Sequence, residues 1–193
     1  MREVAAAYGV SLDAITYILR KIDEPRRSPA ESSKIIFGNK SPSFSIREPR
    51  TPYDERLHIM GTMLYWAEGY KTAKAKGVDF ANSNPTMILA FITFLRTRYD
   101  LDESRFRISL YCHGNQDIKR IIAFWSSLLR VSKAQFTKPY VRAEARDGHR
   151  TMQHGLVHVR YSDKKMLIDM LNLIDSYSRE FRVGTQAVNE DTL

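Results

Sequence analysis

An acidic residue ends an apolar helical segment in the first half of the chain. Apolar residues at helical spacing predict an α-helix over residues 54–70, and Glu68 stands near its end, followed by Gly69. A carboxylate in such a place can hold a divalent metal ion, and a glycine lets another backbone approach closely. Glu68 is therefore the candidate metal ligand. The alternative is a solvated residue at a helix end.

Three lysines follow this helix end at short intervals: Lys71, Lys74 and Lys76. An ammonium group can neutralise a phosphate of a nucleic acid, and a cluster of lysines can equally be a solvated turn. We take the three lysines as candidate phosphate contacts.

The N-terminal residues show the pattern of two short helices joined by a tight turn. Ala5 allows the helices to cross closely, Gly9 suits a turn with positive φ, and Ser11 can cap the second helix. This is the pattern of a helix-turn-helix, whose second helix enters the major groove of DNA. The candidate DNA contacts are the outward polar residues of that helix and the basic residues after it: Ser11, Asp13, Thr16, Tyr17, Arg20, Lys21, Arg26 and Arg27.

An ordinary helical hairpin is the alternative for this module. A free-standing helix-turn-helix normally has a further helix in front of the pair, and the printed chain begins at the pair itself. We therefore expect that this first helix is either absent or encoded upstream of residue 1.

Alternating apolar and polar residues predict strands in the second half of the chain. Residues 106–112 alternate as a half-buried strand does, and residues 136–141 and 156–161 predict two more strands joined as a hairpin. If these strands are neighbours, one face of the sheet would present polar and basic groups to DNA. Its candidate members are Arg107, Ser109, Arg142, Arg146, His158 and Arg160.

Four segments position these residues. Residues 1–24 are predicted as the helix-turn-helix module, and the proline- and serine-rich residues 25–52 as a linker. Residues 53–182 show the order α-β-α-β-α-β-β-α and predict an α+β domain. The polar residues 183–193 predict a flexible tail.

The acidic helix end resembles the motif of the LAGLIDADG homing endonucleases. Residues 61–69, GTMLYWAEG, form a helix of small and apolar residues that ends in an acid and a glycine, with Gly61 and Gly69 as the motif glycines. Residues 78–85 are similar to the strand-then-helix passage that follows the motif, so the resemblance covers residues 53–99. It implies a LAGLIDADG-like αβ saddle domain. In that family two motif helices pack side by side, and each delivers one acidic residue to shared metal sites beneath a β-saddle on DNA.

Because the chain holds a single copy of the motif, the resemblance implies a homodimer on a pseudopalindromic site in double-stranded DNA. In a catalytic form, paired Glu68 carboxylates would use Mg²⁺ for site-specific phosphodiester hydrolysis, and a non-catalytic form would need no cofactor. LAGLIDADG-like domains joined to helix-turn-helix modules are also known in bacterial regulators that do not cleave DNA. A transcription regulator with a degenerate domain is therefore the alternative, and an RNA-binding or assembly protein is a third reading.

Composition fits a soluble protein with a polyanionic partner. Lysine and arginine number 30 against 22 acidic residues, a net charge of +8. The single cysteine, Cys112, excludes a disulfide framework and favours a reducing, cytoplasmic compartment. The five histidines show no metal-ligand spacing. No apolar stretch approaches the ~20 residues that span a bilayer, so we expect no membrane association.

Overall fold

The computed structural model describes residues 1–23, 27–72, 74–143 and 152–190, with side chains as far as residue 180. These residues fall into two compact units, which divide between Ser41 and Pro42. Both helices and strands are present, in the α+β arrangement that the sequence predicts. Among the described residues, no helix is long and apolar enough to cross a membrane.

The first unit is helical. It contains α1 (Arg2–Tyr8), α2 (Leu12–Lys21) and α3 (Pro29–Asn39). Gly9 ends α1 with φ +63°, and the Ser11 hydroxyl accepts a hydrogen bond from the Ala14 amide at 3.1 Å. The predicted turn glycine and the predicted helix cap are both confirmed.

The segment predicted as a linker contains two regular elements. Helix α3 begins at a capping box between Ser28 and Glu31, with Pro29 in its first turn. Strand β1 (Phe44–Ile46) belongs to the second unit. Prolines and serines predicted a loop here, but a serine followed by a proline and a glutamate also starts a helix. The linker prediction for residues 25–52 is thus wrong for α3 and β1.

A four-stranded sheet forms the centre of the second unit. Its strands are β2 (Val78–Asn82), β4 (Phe106–His113), β5 (Tyr140–Arg142) and β6 (Leu156–Tyr161), in the order β2-β6-β4-β5. β6 runs antiparallel to both of its neighbours, and β5 runs parallel to β4. Strand β3 (Tyr99–Leu101) pairs separately with β1.

The predicted hairpin between residues 136–141 and 156–161 is wrong. β5 and β6 lie on opposite sides of β4, so the two strands are never neighbours. Alternation within each segment predicts a strand, but pairing partners depend on the whole sheet. Residues 144–151, which lie between the two segments in the chain, are outside the described residues.

Four helices supply the rest of the core: α4 (Pro52–Glu68), α5 (Pro85–Arg98), α6 (Ile118–Leu129) and α7 (Lys164–Glu190). Their buried side chains pack with the apolar residues of one sheet face. The largest fully buried side chains are Trp125, Tyr65, Tyr99, Tyr161, Phe80, Phe91, Phe94 and Phe106. α7 continues as far as Glu190 and so includes most of the segment predicted as a flexible tail, residues 183–193.

Candidate nucleic-acid interface

Among the described residues, no side chain of the hydrophobic core comes from a strand residue on the opposite face of the four-stranded sheet. Register pairs Asp79 with Arg160 and Arg160 with Arg107, and it places His158 between Ala81 and Ser109. Strand residues alternate between the two faces, so one face collects the polar side chains. We call this the open face; its members are Asp79, Ala81, Arg107, Ser109, Tyr111, His113, Tyr140, Arg142, Leu156, His158 and Arg160.

Five of the six residues predicted for a shared sheet face lie on the open face, and Arg146 lies outside the described residues. Arg107 and Ser109 are on β4, His158 and Arg160 on the adjacent β6, and Arg142 pairs with His113 at the β5 edge. The condition on which that prediction depended, that the strands be neighbours, is therefore met.

Asp79 is the centre of a hydrogen-bond network on this face. Its Oδ2 accepts a hydrogen bond from Arg160 Nε at 2.8 Å, and its Oδ1 lies 2.8 Å from His158 Nδ1. Arg160 also donates from Nη1 to the Ser109 hydroxyl at 3.2 Å, and that hydroxyl lies 2.8 Å from Thr137 Oγ1. The side chains of three neighbouring strands are thus fixed relative to one another.

The charge state of Asp79 follows from these contacts. Burial alone would raise the pKa of the Asp79 carboxyl, but hydrogen bonding to His158 and the positive charges of His158 and Arg160 outweigh burial. The net result is a pKa below the ordinary value for aspartate. Asp79 is therefore ionised at neutral pH and acts as an acceptor for both partners.

Arg107 illustrates why an acidic residue is needed here. It stands directly opposite Arg160 in the register, and two like charges in that position repel each other. Arg107 donates from Nη1 to the carbonyls of Ser104 at 2.6 Å and Phe106 at 2.7 Å, close to its own backbone. Asp79, on the other side of Arg160, offsets the repulsion.

Aromatic rings accompany the charged groups. The Tyr111 ring lies 5.0 Å from the His158 ring and 5.3 Å from the Tyr140 ring, measured between centroids. Tyr140 is exposed, so the row of rings reaches solvent at the β5 edge. The open face therefore combines cationic, hydrogen-bonding and stacking groups, which is the composition of a nucleic-acid surface.

The helix end with the candidate metal ligand meets the sheet at its β2 edge. Glu68 is the last residue of α4 and its side chain is exposed. Two residues later, the Tyr70 amide donates to the Asp79 carbonyl at 2.9 Å. Among the described residues, no three histidine, cysteine, aspartate or glutamate side chains are grouped as metal ligands would be.

Lys71 is hydrogen-bonded to the end of α4. Its ammonium donates to the carbonyls of Tyr65 at 3.2 Å, Trp66 at 2.8 Å and Gly69 at 2.7 Å. Since an ammonium has three donors, all of them are used by the end of α4. Burial lowers the pKa of Lys71, and the nearby charge of Glu68 opposes that effect. Lys71 thus caps the end of α4, whereas Lys74 and Lys76 are exposed, and phosphate contact by the three lysines stays a prediction.

The two motif glycines allow close packing within the chain. A Cβ atom on Gly61 would lie 2.1 Å from Cγ of Phe94 on α5. A Cβ atom on Gly69 would lie 2.4 Å from the Tyr65 ring. Burial raises the pKa of the Tyr65 hydroxyl to about 12, and that hydroxyl donates to the Tyr70 carbonyl at 3.0 Å. Glycine is required at both positions by contacts inside the second unit.

The predicted recognition helix is α2, and most of its candidate residues are exposed. Asp13, Tyr17, Arg20 and Lys21 reach solvent, as does Arg27 after the helix. Thr16 is half-buried, and the Ser11 hydroxyl is used by the helix cap. Arg26 lies outside the described residues.

One side of α2 is partly covered and the other faces solvent. Ile18 is apolar but 49% exposed. Ile15 and Leu19 are half-buried and form the covered side of the helix. Ala5, which was expected to allow a close helix crossing, is the buried residue of α1.

Comparisons with protein-family models, with curated proteins and with solved structures found no match.

Several residues of the interface carry no signal that a single sequence reveals. Asp79 stands out only as one polar position in a short strand, and its partner His158 follows 79 residues later. Tyr111, Tyr140 and Thr137 likewise gain a role only through strand pairing. Alternation along β2 and β4 indicates which face these residues occupy, and the register alone shows which of them meet.

Proposed function

We propose that the protein binds double-stranded DNA through the open face of its sheet. The observation that carries this proposal is the position of Arg160, Arg107 and Arg142 on one uncovered face, with Asp79 fixing the central arginine. B-DNA has a major groove about 12 Å wide, which admits a two-stranded β-ribbon. Arginines on such a ribbon can reach both phosphates and base edges.

We further propose that the second unit uses its sheet as a LAGLIDADG-like saddle. Four strands with helices packed on one face, and a motif helix that ends at the β2 edge, support this assignment. In this arrangement the open face is the DNA-binding side, and α4 brings Glu68 to the border of the sheet.

A homodimer through α4 is part of the same proposal. Apolar side chains remain uncovered along one side of this helix, including Ile59, Met60 and Trp66. Covering an exposed apolar side of a helix with a second copy removes it from water, which stabilises the dimer. A two-fold axis makes such a contact self-complementary. Two copies would present two open faces to a pseudopalindromic site.

Binding without cleavage, as in a transcription regulator, is the form of this function that the geometry supports best. The last turn of α4 offers one exposed carboxylate, Glu68, and Mg²⁺ demands near-ideal octahedral coordination. Within the described residues, the donor set of one protomer does not fit a magnesium site.

Mg²⁺-dependent cleavage of DNA is a second candidate, favoured by the position of Glu68. Its carboxylate is exposed at the end of α4, the helix along which two copies would pair, so a dimer would bring two such carboxylates together. Incubating a plasmid library that carries bound sites with Mg²⁺, using the wild-type protein and the Glu68→Gln variant, tests this candidate. Cleavage by the wild type alone supports this candidate. If the plasmid stays intact with both proteins, the cleavage candidate is wrong and binding without cleavage, as in a transcription regulator, is retained.

The binding proposal is tested by fluorescence anisotropy with labelled duplex DNA over a range of salt concentrations. Arg142→Gln removes one cation from the open face. The matched variant Arg120→Gln removes the same charge from an exposed position on α6. If Arg142 contacts a phosphate, its loss lowers the slope of log affinity against log salt by about 1. The control leaves the slope unchanged.

A single-stranded RNA competitor distinguishes a DNA-binding protein from the alternative, an RNA-binding protein. The open face would prefer RNA if the Tyr111 and Tyr140 rings stack on unpaired bases. Tighter binding of the RNA than of the duplex would overturn the DNA proposal. Equal slopes for the two arginine variants would show that the open face is not the binding surface.

A further inference from the structure

We propose that Arg160 reads a guanine in the major groove and that Asp79 and Ser109 are the residues that position it. This inference rests on the proposed binding of double-stranded DNA and adds which base is recognised and by which side chain. It starts from the hydrogen bonds that Arg160 makes and from those it leaves unused.

A guanidinium has five N–H donors in a fixed planar fork. Arg160 uses its Nε donor on Asp79 at 2.8 Å and one Nη1 donor on Ser109 at 3.2 Å. No described residue accepts a hydrogen bond from Nη2. One Nη1 donor and both Nη2 donors therefore remain, so each of the two terminal nitrogens still has a donor for a ligand at the outer edge of the fork.

This outer edge matches guanine. Guanine presents two acceptors, O6 and N7, in the major groove, and a bidentate arginine is the commonest specific contact to them. The Arg160 side chain is 38% exposed, so it remains partly accessible to a ligand. Adenine offers one acceptor and one donor on the same edge, so it would leave one arginine donor unpaired.

The location of Arg160 favours a base over a phosphate. β6 lies inside the sheet, between β2 and β4, so Arg160 occupies the middle of the open face. A surface that enters a groove brings its middle to the base edges and its borders to the two backbones. Lys74, Lys76 and Arg142 lie near or beyond edge strands, where phosphate contacts are expected.

Asp79 is an unfavourable residue for a DNA surface unless it serves this purpose. Its carboxylate is 20% exposed, and each of its oxygens is used, one by Arg160 and one by His158. An arginine held at two points has already lost much of its side-chain entropy, so less remains to be lost when it meets the base. The negative charge of Asp79 thus weakens the general attraction to DNA, while its hydrogen bond fixes the orientation of Arg160.

The test begins with selection of duplex sites from a randomised library by the wild-type protein and by Arg160→Lys. Lysine keeps the charge but loses the planar fork. We expect the wild-type sites to contain a guanine that the Arg160→Lys sites lack, with a discrimination of about 5- to 150-fold over other bases at that position.

Replacing that guanine by 7-deazaguanine removes one acceptor of the pair. The replacement should weaken the wild type by roughly tenfold and leave Arg160→Lys nearly unchanged, because the lost acceptor has no fork to receive it there. Asp79→Asn should reduce the preference for guanine while it keeps or increases affinity for random duplex DNA. A merely structural role of Asp79 would instead weaken binding to all sequences alike.

The outcomes separate this inference from the proposed function. If the wild type binds duplex DNA but shows no guanine whose contribution depends on Arg160, the assignment of Arg160 is wrong and DNA binding stands. If the wild type binds no duplex DNA at all, both proposals fail. An unfolding temperature equal to that of the wild type shows that each variant is folded when its binding is compared.

Discussion

His158 Nδ1 lies 2.8 Å from Asp79 Oδ1, although 79 positions separate the two residues in the chain. The contact crosses from β6 to the edge strand β2, and it shares its carboxylate with Arg160. One side chain therefore connects strand pairing, which stabilises the fold, with the arrangement of cations on the open face. Its loss should have consequences for both stability and binding.

Asp79→Asn should lower the free energy of unfolding by about 1–3 kcal/mol at pH 7, because a partly buried acceptor of two charge-assisted hydrogen bonds loses its charge. The pKa of Asp79 is lower in the folded protein than its ordinary value. Its carboxylate therefore stabilises the fold above the ordinary pKa of about 3.9, and this contribution is lost as pH falls through the lower, folded value. Urea unfolding at pH 7 and at pH 3 measures the difference.

The matched control for this experiment is Asp175→Asn. Asp175 accepts from Arg179 in an exposed pair one helical turn apart, and such pairs contribute about 0.5 kcal/mol or less. The difference between wild type and Asp79→Asn should shrink at pH 3. A difference of the same size at both pH values would show that the charge of Asp79 is not what stabilises the sheet.

Lys71→Met should destabilise the second unit by about 0.5–2 kcal/mol without weakening DNA binding. The substitution leaves three carbonyls at the end of α4 without their ammonium donor. Lys74→Met removes an equal charge from an exposed position and should leave stability unchanged. Chemical unfolding and the salt dependence of binding together distinguish the two lysines; a reduced salt slope for Lys71→Met would identify Lys71 as a phosphate contact.

Gly61→Ala should destabilise the second unit by about 1–3 kcal/mol or more, because its methyl group would overlap the Phe94 ring and force α4 and α5 apart. Gly38→Ala adds the same methyl group to α3, where nothing lies within 4 Å, and alanine favours a helix. Differential scanning calorimetry of the two variants should show a lower transition temperature for Gly61→Ala alone. An unchanged transition would mean that α4 and α5 tolerate a wider separation.

The helices and strands were largely predictable from sequence because their signals are local. Ala5, Gly9 and Ser11 each specify a turn or a cap within a few residues, and the structure has each feature. The short strands β1 and β3 were missed, since three residues are too few to show alternation.

The arrangement of the candidate site was less predictable. Asp79, His158 and Arg160 come together only through the antiparallel register of β2 and β6. The three donors of Lys71 find carbonyls in a helix end whose exact course a sequence does not specify. Residue type indicated that charges would be present, while the pairing of distant strands determined which charges remain available to a ligand.

Trp66→Lys should convert a dimer to a monomer if α4 is the contact between two copies. Trp66 is 39% exposed on the apolar side of the helix, and burial of a charge there would cost more than the contact returns. Ile168→Lys is the matched control, because Ile168 is an equally exposed apolar residue, also 39%, on α7. Light scattering coupled to size exclusion gives the mass of each variant. A dimeric mass for Trp66→Lys would show that the two copies meet through a surface other than α4.

The contribution of α2 to DNA binding is measured by a double substitution, Arg20→Ala with Lys21→Ala. Both residues are exposed at the end of the helix, and the loss of two phosphate contacts should lower the salt slope by about 2. Arg2→Ala with Lys34→Ala removes the same charge from exposed positions in the same unit and should change the slope less.

Combining Arg20→Ala and Lys21→Ala with Arg160→Lys then tests whether α2 and the sheet contact the same DNA duplex. Additive losses of binding free energy would mean independent contacts on one duplex, and no further loss would mean that only one of the two surfaces binds at a time.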